Sequence, residues 1–196
     1  ILYYDGVYYA YGTDSPNGIA VMSSTDLKNW TRGVGRSKEN LALHKDDSYG
    51  DRWFWAPEVY QVNGKFNMYY SADEHVCVAV ADHPLGPFVQ LEKKPFFENE
   101  KTIDNTLFID DDGKPYMFFD RFHDGLNIWS VELEDDCLHA KPESYRYCIR
   151  AYQPWERKLG RVNEGCFVIK YKGRYYMTYS GNGYTSPEYG IGCAVA

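Results

Sequence analysis

One short pattern recurs four times along the chain and limits its fold more than any other feature. It runs as an aromatic or apolar stretch, a Gly-containing turn, then a Tyr-rich stretch, at residues 2–11, 59–70, 107–119 and 167–179. Asp-Gly or Asn-Gly between two β-rich runs is a strong hairpin signal, because the tight turn needs positive φ and Gly supplies it without a Cβ clash. Each copy is followed by a third apolar run, at 19–22, 76–80, 126–131 and 191–195. The turn glycines Gly6, Gly64, Gly113 and Gly173 stand 58, 49 and 60 residues apart. That period suits a propeller blade with long loops and is too long for a leucine-rich repeat. No stretch sustains a 3.6-residue apolar period, so helix is minor and the chain reads as all-β.

Composition narrows the function. Aromatics make up 17% of the residues (Tyr 19, Phe 10, Trp 5) and charged residues 25%, which excludes disorder and favours β-structure. A net charge of −7 disfavours a phosphate backbone or an anionic bilayer as partner, so neither nucleic acid nor membrane is expected. No run reaches the roughly 20 apolar residues of a spanning helix. The five cysteines (Cys77, Cys137, Cys148, Cys166, Cys193) lack C-x-x-C spacing and read as buried thiols. The five histidines form no i, i+4 pair, and neither a G-x-S-x-G nor a P-loop occurs, so no metal and no cofactor is called for. Asp110-Asp111-Asp112-Gly113 fails as a calcium loop, since its first and twelfth positions would be Phe108 and Phe119. It reads as a hairpin turn, and the segments 24–30 and 82–88 read as structural turns. Asn29-Trp30-Thr31 fits a glycosylation sequon.

In a propeller the first strand of each blade lines the central channel, and a residue at its entrance can face the axial pocket. Three such entrances carry acids: Glu58, Asp104 and Glu164, which stand 6, 9 and 9 residues before their turn glycines. Counted this way, Asp104 and Glu164 share a register and Glu58 lies three residues later. Two carboxylates converging among aromatic rings meet the requirements of glycoside hydrolysis, an acid for the leaving oxygen and a base or nucleophile on the other face. Charges at blade edges can equally be solvated side chains with no chemistry, and a propeller hosts many functions.

Three segments carry a resemblance: 55–59 with 63–66, 103–104 with 107–116, and 163–165 with 175–180. Together, in order and at blade spacing, they resemble glycoside hydrolase family 43, the five-bladed β-propeller enzymes that release arabinofuranosyl, xylosyl or related sugars from plant polysaccharides. The resemblance covers essentially the whole chain as a single catalytic domain, 1–196. It implies that Glu164 is the general acid and that Asp104 orients it and raises its pKa by like-charge repulsion. It also implies an inverting mechanism and an oligo- or polysaccharide substrate. Trp55, Glu58, Arg121 and Gln153 are expected at the substrate, with Trp155 beside them, and loop packing is an equal alternative for Trp55, Arg121, Gln153 and Trp155. Cys166 stands where many relatives have Pro.

The family's base is an Asp before the first strand, which falls upstream of Ile1. The expectation is therefore an incomplete propeller of about four blades, truncated at both ends and impaired as it stands. A retaining furanosidase-type hydrolase and a non-catalytic sugar- or protein-binding propeller are the competing functions. Sugar, linkage, localisation and oligomeric state are left open by the sequence.

Overall fold

The computed structural model describes residues 1–13 and 15–196. The chain divides into two compact units, Ile1–Asn99 and Glu100–Ala196.

The first unit holds two sheets. In one, β1 (Leu2–Tyr4), β2 (Val7–Gly12), β3 (Gly18–Ser24) and β4 (Thr31–Arg32) follow one another antiparallel, and β5 (Leu43–His44) also pairs with β3. The other is β6 (Trp55–Val62), β7 (Lys65–Ala72) and β8 (His75–Ala81), with a bridge from Val80 to Val89 standing in for a fourth strand. Its core gathers Ile19, Val21, Leu43, Phe54, Phe66, Met68, Tyr70 and Phe88. Strand β7 is buried from Phe66 to Ala72, which explains why its apolar residues run continuously instead of alternating.

The second unit repeats the plan. β9 (Thr102–Ile109), β10 (Pro115–Phe122), β11 (Leu126–Glu132) and β12 (Arg146–Ile149) form one sheet, and β13 (Asn163–Tyr171), β14 (Arg174–Gly181) and β15 (Gly190–Val195) the other. Ile103, Leu107, Met117, Phe119, Ile128, Val131 and Leu133 are buried there. One face of the last sheet is open: Phe167, Ile169 and Tyr171 of β13 and Ile191 and Val195 of β15 are all exposed. The four hairpins and their third strands thus form as the repeat requires, each sheet an up-and-down meander of the kind that builds a blade. Among the described residues helix is confined to four short 3-10 turns, and no helix is long and apolar enough to cross a membrane.

The turn segments are structural. Asp26 Oδ1 accepts from the amides of Lys28 and Asn29 at 2.8 Å each, and Phe88 is fully buried against Tyr11. The Asn29 amide donates to Asp26 Oδ2 at 2.7 Å, so the sequon's own side chain is part of that turn. The acidic hairpin turn does more than turn: Asp110 accepts from Lys170 Nζ at 2.7 Å and from the Tyr175 hydroxyl at 2.6 Å, tying the β9–β10 hairpin to the β13–β14 hairpin. All five cysteines are thiols, none of them in a disulfide. Cys77, Cys137 and Cys166 are buried as expected, whereas Cys148 is half-buried and Cys193 is exposed on the open face of the last sheet.

Candidate active site

The same irregularity interrupts the first strand of three sheets, and it fixes where the acids point. Trp55 pairs with Ser71 and Glu58 with Tyr69, so Ala56 and Pro57 together oppose Tyr70. Ile103 pairs with Asp120 and Thr106 with Phe118, so Asp104 and Asn105 oppose Phe119. Glu164 pairs with Ser180 and Phe167 with Thr178, so Gly165 and Cys166 oppose Tyr179. Each is a bulge, two residues facing one aromatic, with the first extra residue left-handed: Ala56 at φ 46°, Asp104 at φ 53° and Gly165 at φ 59°. Bulges re-aim a side chain out of the regular alternation, and Asp tolerates the left-handed region better than most residues.

This corrects the register drawn from the turn glycines. Glu164 is the counterpart of Ile103 and Trp55, and Asp104 the counterpart of Gly165. The count misleads because the amide of Asp110 donates to the Lys114 carbonyl at 3.0 Å, leaving three residues, 111–113, in that turn where the other hairpins have two. Glu58 matches Thr106 and Phe167, beyond the bulge. Offsetting Asp104 and Glu164 by one step is what lets carboxyls from adjacent strands converge.

Strand β13 lies against β9 and β10, and a Cβ on Gly165 would stand 3.9 Å from Asp104 Oδ2. The Glu164 carboxyl accepts from the Tyr189 hydroxyl at 2.8 Å. Burial raises the Glu164 pKa above the ordinary carboxylate range, and the Tyr189 hydrogen bond pulls it back. Asp104 is pushed up to about 7, first by burial and then by the charge of Glu164, with a hydrogen bond from Asp120 acting in the opposite sense. The like-charge repulsion expected at Glu164 thus acts on Asp104, while burial is what raises Glu164.

Asp120 is the residue the sequence did not single out. It is fully buried, its Oδ2 accepts the Gly165 amide at 3.0 Å, and it hydrogen-bonds Asp104. The available signal was an acid inside the aromatic run Phe118-Phe119-Asp120-Arg121-Phe122. Burial first and Asp104 second drive its pKa well above the ordinary range.

The other expected residues are distributed. Arg121, one step along β10 and so on the opposite face from Asp120, pairs through Nε with Glu100 at 2.5 Å and stacks over Trp129. Gln153 is exposed and its backbone N–H donates to Glu156 Oε2 at 2.6 Å; Trp155 stacks on Tyr179. Glu156 itself is buried, accepts also from Tyr152 and the Tyr179 hydroxyl, and is held below the usual carboxylate range by these donors against its burial. In the first unit Trp55 stacks on Trp53 at 5.7 Å, and Glu58 accepts from the Tyr60 hydroxyl at 2.6 Å.

The family model for Glycosyl hydrolases family 43 matches residues 1–196. The chain belongs to that family. An endo-1,4-β-xylanase from Bacteroides thetaiotaomicron VPI-5482 superposes with a TM-score of 0.91 at 47% identity, covering 100% of this chain and 66% of that one. A thermostable family-43 glycoside hydrolase gives a TM-score of 0.86 at 37% identity, with the same coverage. Xylosidase/arabinosidase 43A of Humicola insolens is 27% identical over 69% of this chain and 53% of its own length. The extracellular exo-α-(1→5)-L-arabinofuranosidase ArbA of Cellvibrio japonicus is 28% identical over 83% and 52%. The fold is that of the family's β-propeller, and the chain spans about half the length of these curated relatives.

Proposed function

We propose that the protein containing this chain hydrolyses xylosyl or arabinofuranosyl linkages of plant polysaccharides by single displacement with inversion. The observation that carries this reading is the pair of half-buried carboxyls, Glu164 and Asp104, both with raised pKa, on bulged strands that lie against each other. Relatives named as xylanase, xylosidase/arabinosidase and arabinofuranosidase support the pentose substrate.

In the proposed step Glu164 delivers its proton to the glycosidic oxygen as the C1–O bond breaks. Water adds to C1 from the opposite face and yields its proton to a base. No residue of 1–196 is assigned to that base. Asp104 takes no proton from the substrate; it holds Glu164 in place, and the two titrate as a coupled pair that keeps a proton near neutral pH. Tyr189 fixes the rotamer of Glu164 by its hydrogen bond. Within the first unit, taken by itself, Trp55 stacked on Trp53 and Glu58 oriented by Tyr60 are read as sugar-binding side chains, one through its ring face and the other through hydrogen bonds. Gln153 and Arg121 act at the rim, positioning the turns that carry Trp155 and Glu100.

Substituting Glu164→Gln in the full-length gene product tests the reading, because Gln is isosteric but carries no transferable proton. Turnover of xylo- and arabino-oligosaccharides should fall at least about 10²-fold with binding retained. NMR of the fresh product should show the anomer opposite to that of the substrate. Wild-type turnover in the Gln variant would remove Glu164 from the chemistry. A binding propeller would retain ligand and show no turnover in either form.

A further inference from the structure

The bulge register puts Asp120 in a position that two other blades fill with serine. The residue after the bulge-facing aromatic is Ser71 after Tyr70, Ser180 after Tyr179, and Asp120 after Phe119. The acid is therefore not a requirement of the strand, the hairpin or the bulge. Of the three bulged sheets, the one that carries Asp104 is the one that has it.

Its surroundings are unusual for a carboxylate. Asp120 is 0% exposed; its Oδ2 accepts the Gly165 amide at 3.0 Å, and its Oδ1 is buried with no N–H or O–H donor among the described residues. The groups that act on it are Asp104 from β9, and Glu164 and the Gly165 amide from β13; no cation is among them. Arg121, the nearest cation in sequence, is paired with Glu100 on the other face of the sheet. Two ionised carboxylates can only accept, so the Asp104–Asp120 hydrogen bond requires a proton between them. Deep burial of a second charge beside Asp104 favours leaving that proton on Asp120.

We propose that Asp120 is a positioning residue: as a neutral carboxylic acid it donates to Asp104 from one oxygen and accepts the Gly165 amide on the other, clamping together the two bulges that carry Asp104 and Glu164. The clamp deepens the hydrolase reading and its catalytic consequence rests on it. One oxygen anchors the backbone immediately after Glu164, and the other stabilises the Asp104 carboxylate. A serine at this position is too short to span both partners, whereas asparagine can accept from Gly165 and donate an N–H to Asp104.

Two measurements separate the clamp from the hydrolase reading. Infrared difference spectroscopy of the full-length gene product against its Asp120→Asn variant at pH 7 should show a protonated carboxyl stretch that the variant lacks; its absence from the wild-type protein overturns the proposal, whatever the activity. In the full-length gene product, Asp120→Asn should retain kcat within about threefold with the alkaline limb of the pH profile in place. Asp120→Ser should lower kcat about tenfold or more, the scale of a lost charge-assisted hydrogen bond, with KM little changed. The same variant should move the alkaline limb upward, because Asp104 loses the donor that favours its ionised form. A packing role alone would lower stability and leave that limb unmoved. A downward shift of a unit or more in Asp120→Asn would show that a charge had been removed, and an unaltered kcat in Asp120→Ser would show that no clamp is needed; either result overturns the proposal.

Discussion

Glu164 sits between opposing influences: burial favours its neutral form and the Tyr189 hydroxyl favours its carboxylate. Removing that hydroxyl with Tyr189→Phe leaves burial unopposed, so the Glu164 pKa should rise. The alkaline limb of kcat/KM should then move to higher pH, by about one unit for a hydrogen bond to a charged group; a pH profile with an unshifted limb would show that Tyr189 does not control the acid. Glu164 and Asp104 were legible in the sequence because each lies in a short segment that resembles the family. Asp120 and Tyr189 were not, because they reach their partners 45 and 25 residues away through side chains. Glu156 was hidden for a similar reason, since its burial depends on Tyr179, 23 residues on. Residue type shows that an acid is present; only the packed strands show whether it is solvated, paired or forced to keep its proton.

At the scale of elements, the hairpins and their third strands follow from alternation, Gly turns and β-propensity, all local properties. The bulges do not. Pairing of each first strand with its neighbour sets them at the same place in three sheets, and the longer turn at 111–113 offsets Asp104 by one residue from the count that starts at the turn glycines. Ala56, with no side-chain reason to adopt positive φ, shows that the bulge belongs to the blade and is imposed by its pairing. The β13–β14 sheet depends on close approaches of another kind: a Cβ on Gly181 would stand 2.6 Å from the Trp155 ring, which stacks on Tyr179. Gly181→Ala should therefore push Trp155 and the turn of Glu156 off β14 and destabilise the Glu100–Ala196 unit by about 1–3 kcal/mol. Urea unfolding followed by tryptophan fluorescence measures this, and an unchanged midpoint would show that the ring can yield without cost.

Across the whole chain, the buried acids set how stability depends on pH. Asp104 goes from 3.8 in the unfolded chain to about 7 in the folded one. Between those values the unfolded state has released its proton and the folded state keeps it, so stability falls as pH rises from about 4 to about 7, by roughly 2–4 kcal/mol. Asp120 extends the decline upward in pH. Asp110, lowered to about 2 by Lys170 and Tyr175, acts oppositely: its contribution is present above about 4 and is lost as pH falls through 2. Thermal unfolding should give a higher Tm at pH 4.5 than at pH 8, and Asp120→Asn should flatten the difference. Equal Tm values would mean that these acids ionise in the fold without penalty. The sequence by itself determined the blade repeat, the all-β class and the family, and singled out two of the carboxyls as candidates, because hairpin chemistry and motifs are written in neighbouring residues. The tertiary structure decided the register of the acids, the partners that raise or lower each pKa, and the presence of Asp120 as a fully buried carboxyl beside them, because proximity between strands distant in the chain is set by pairing and burial.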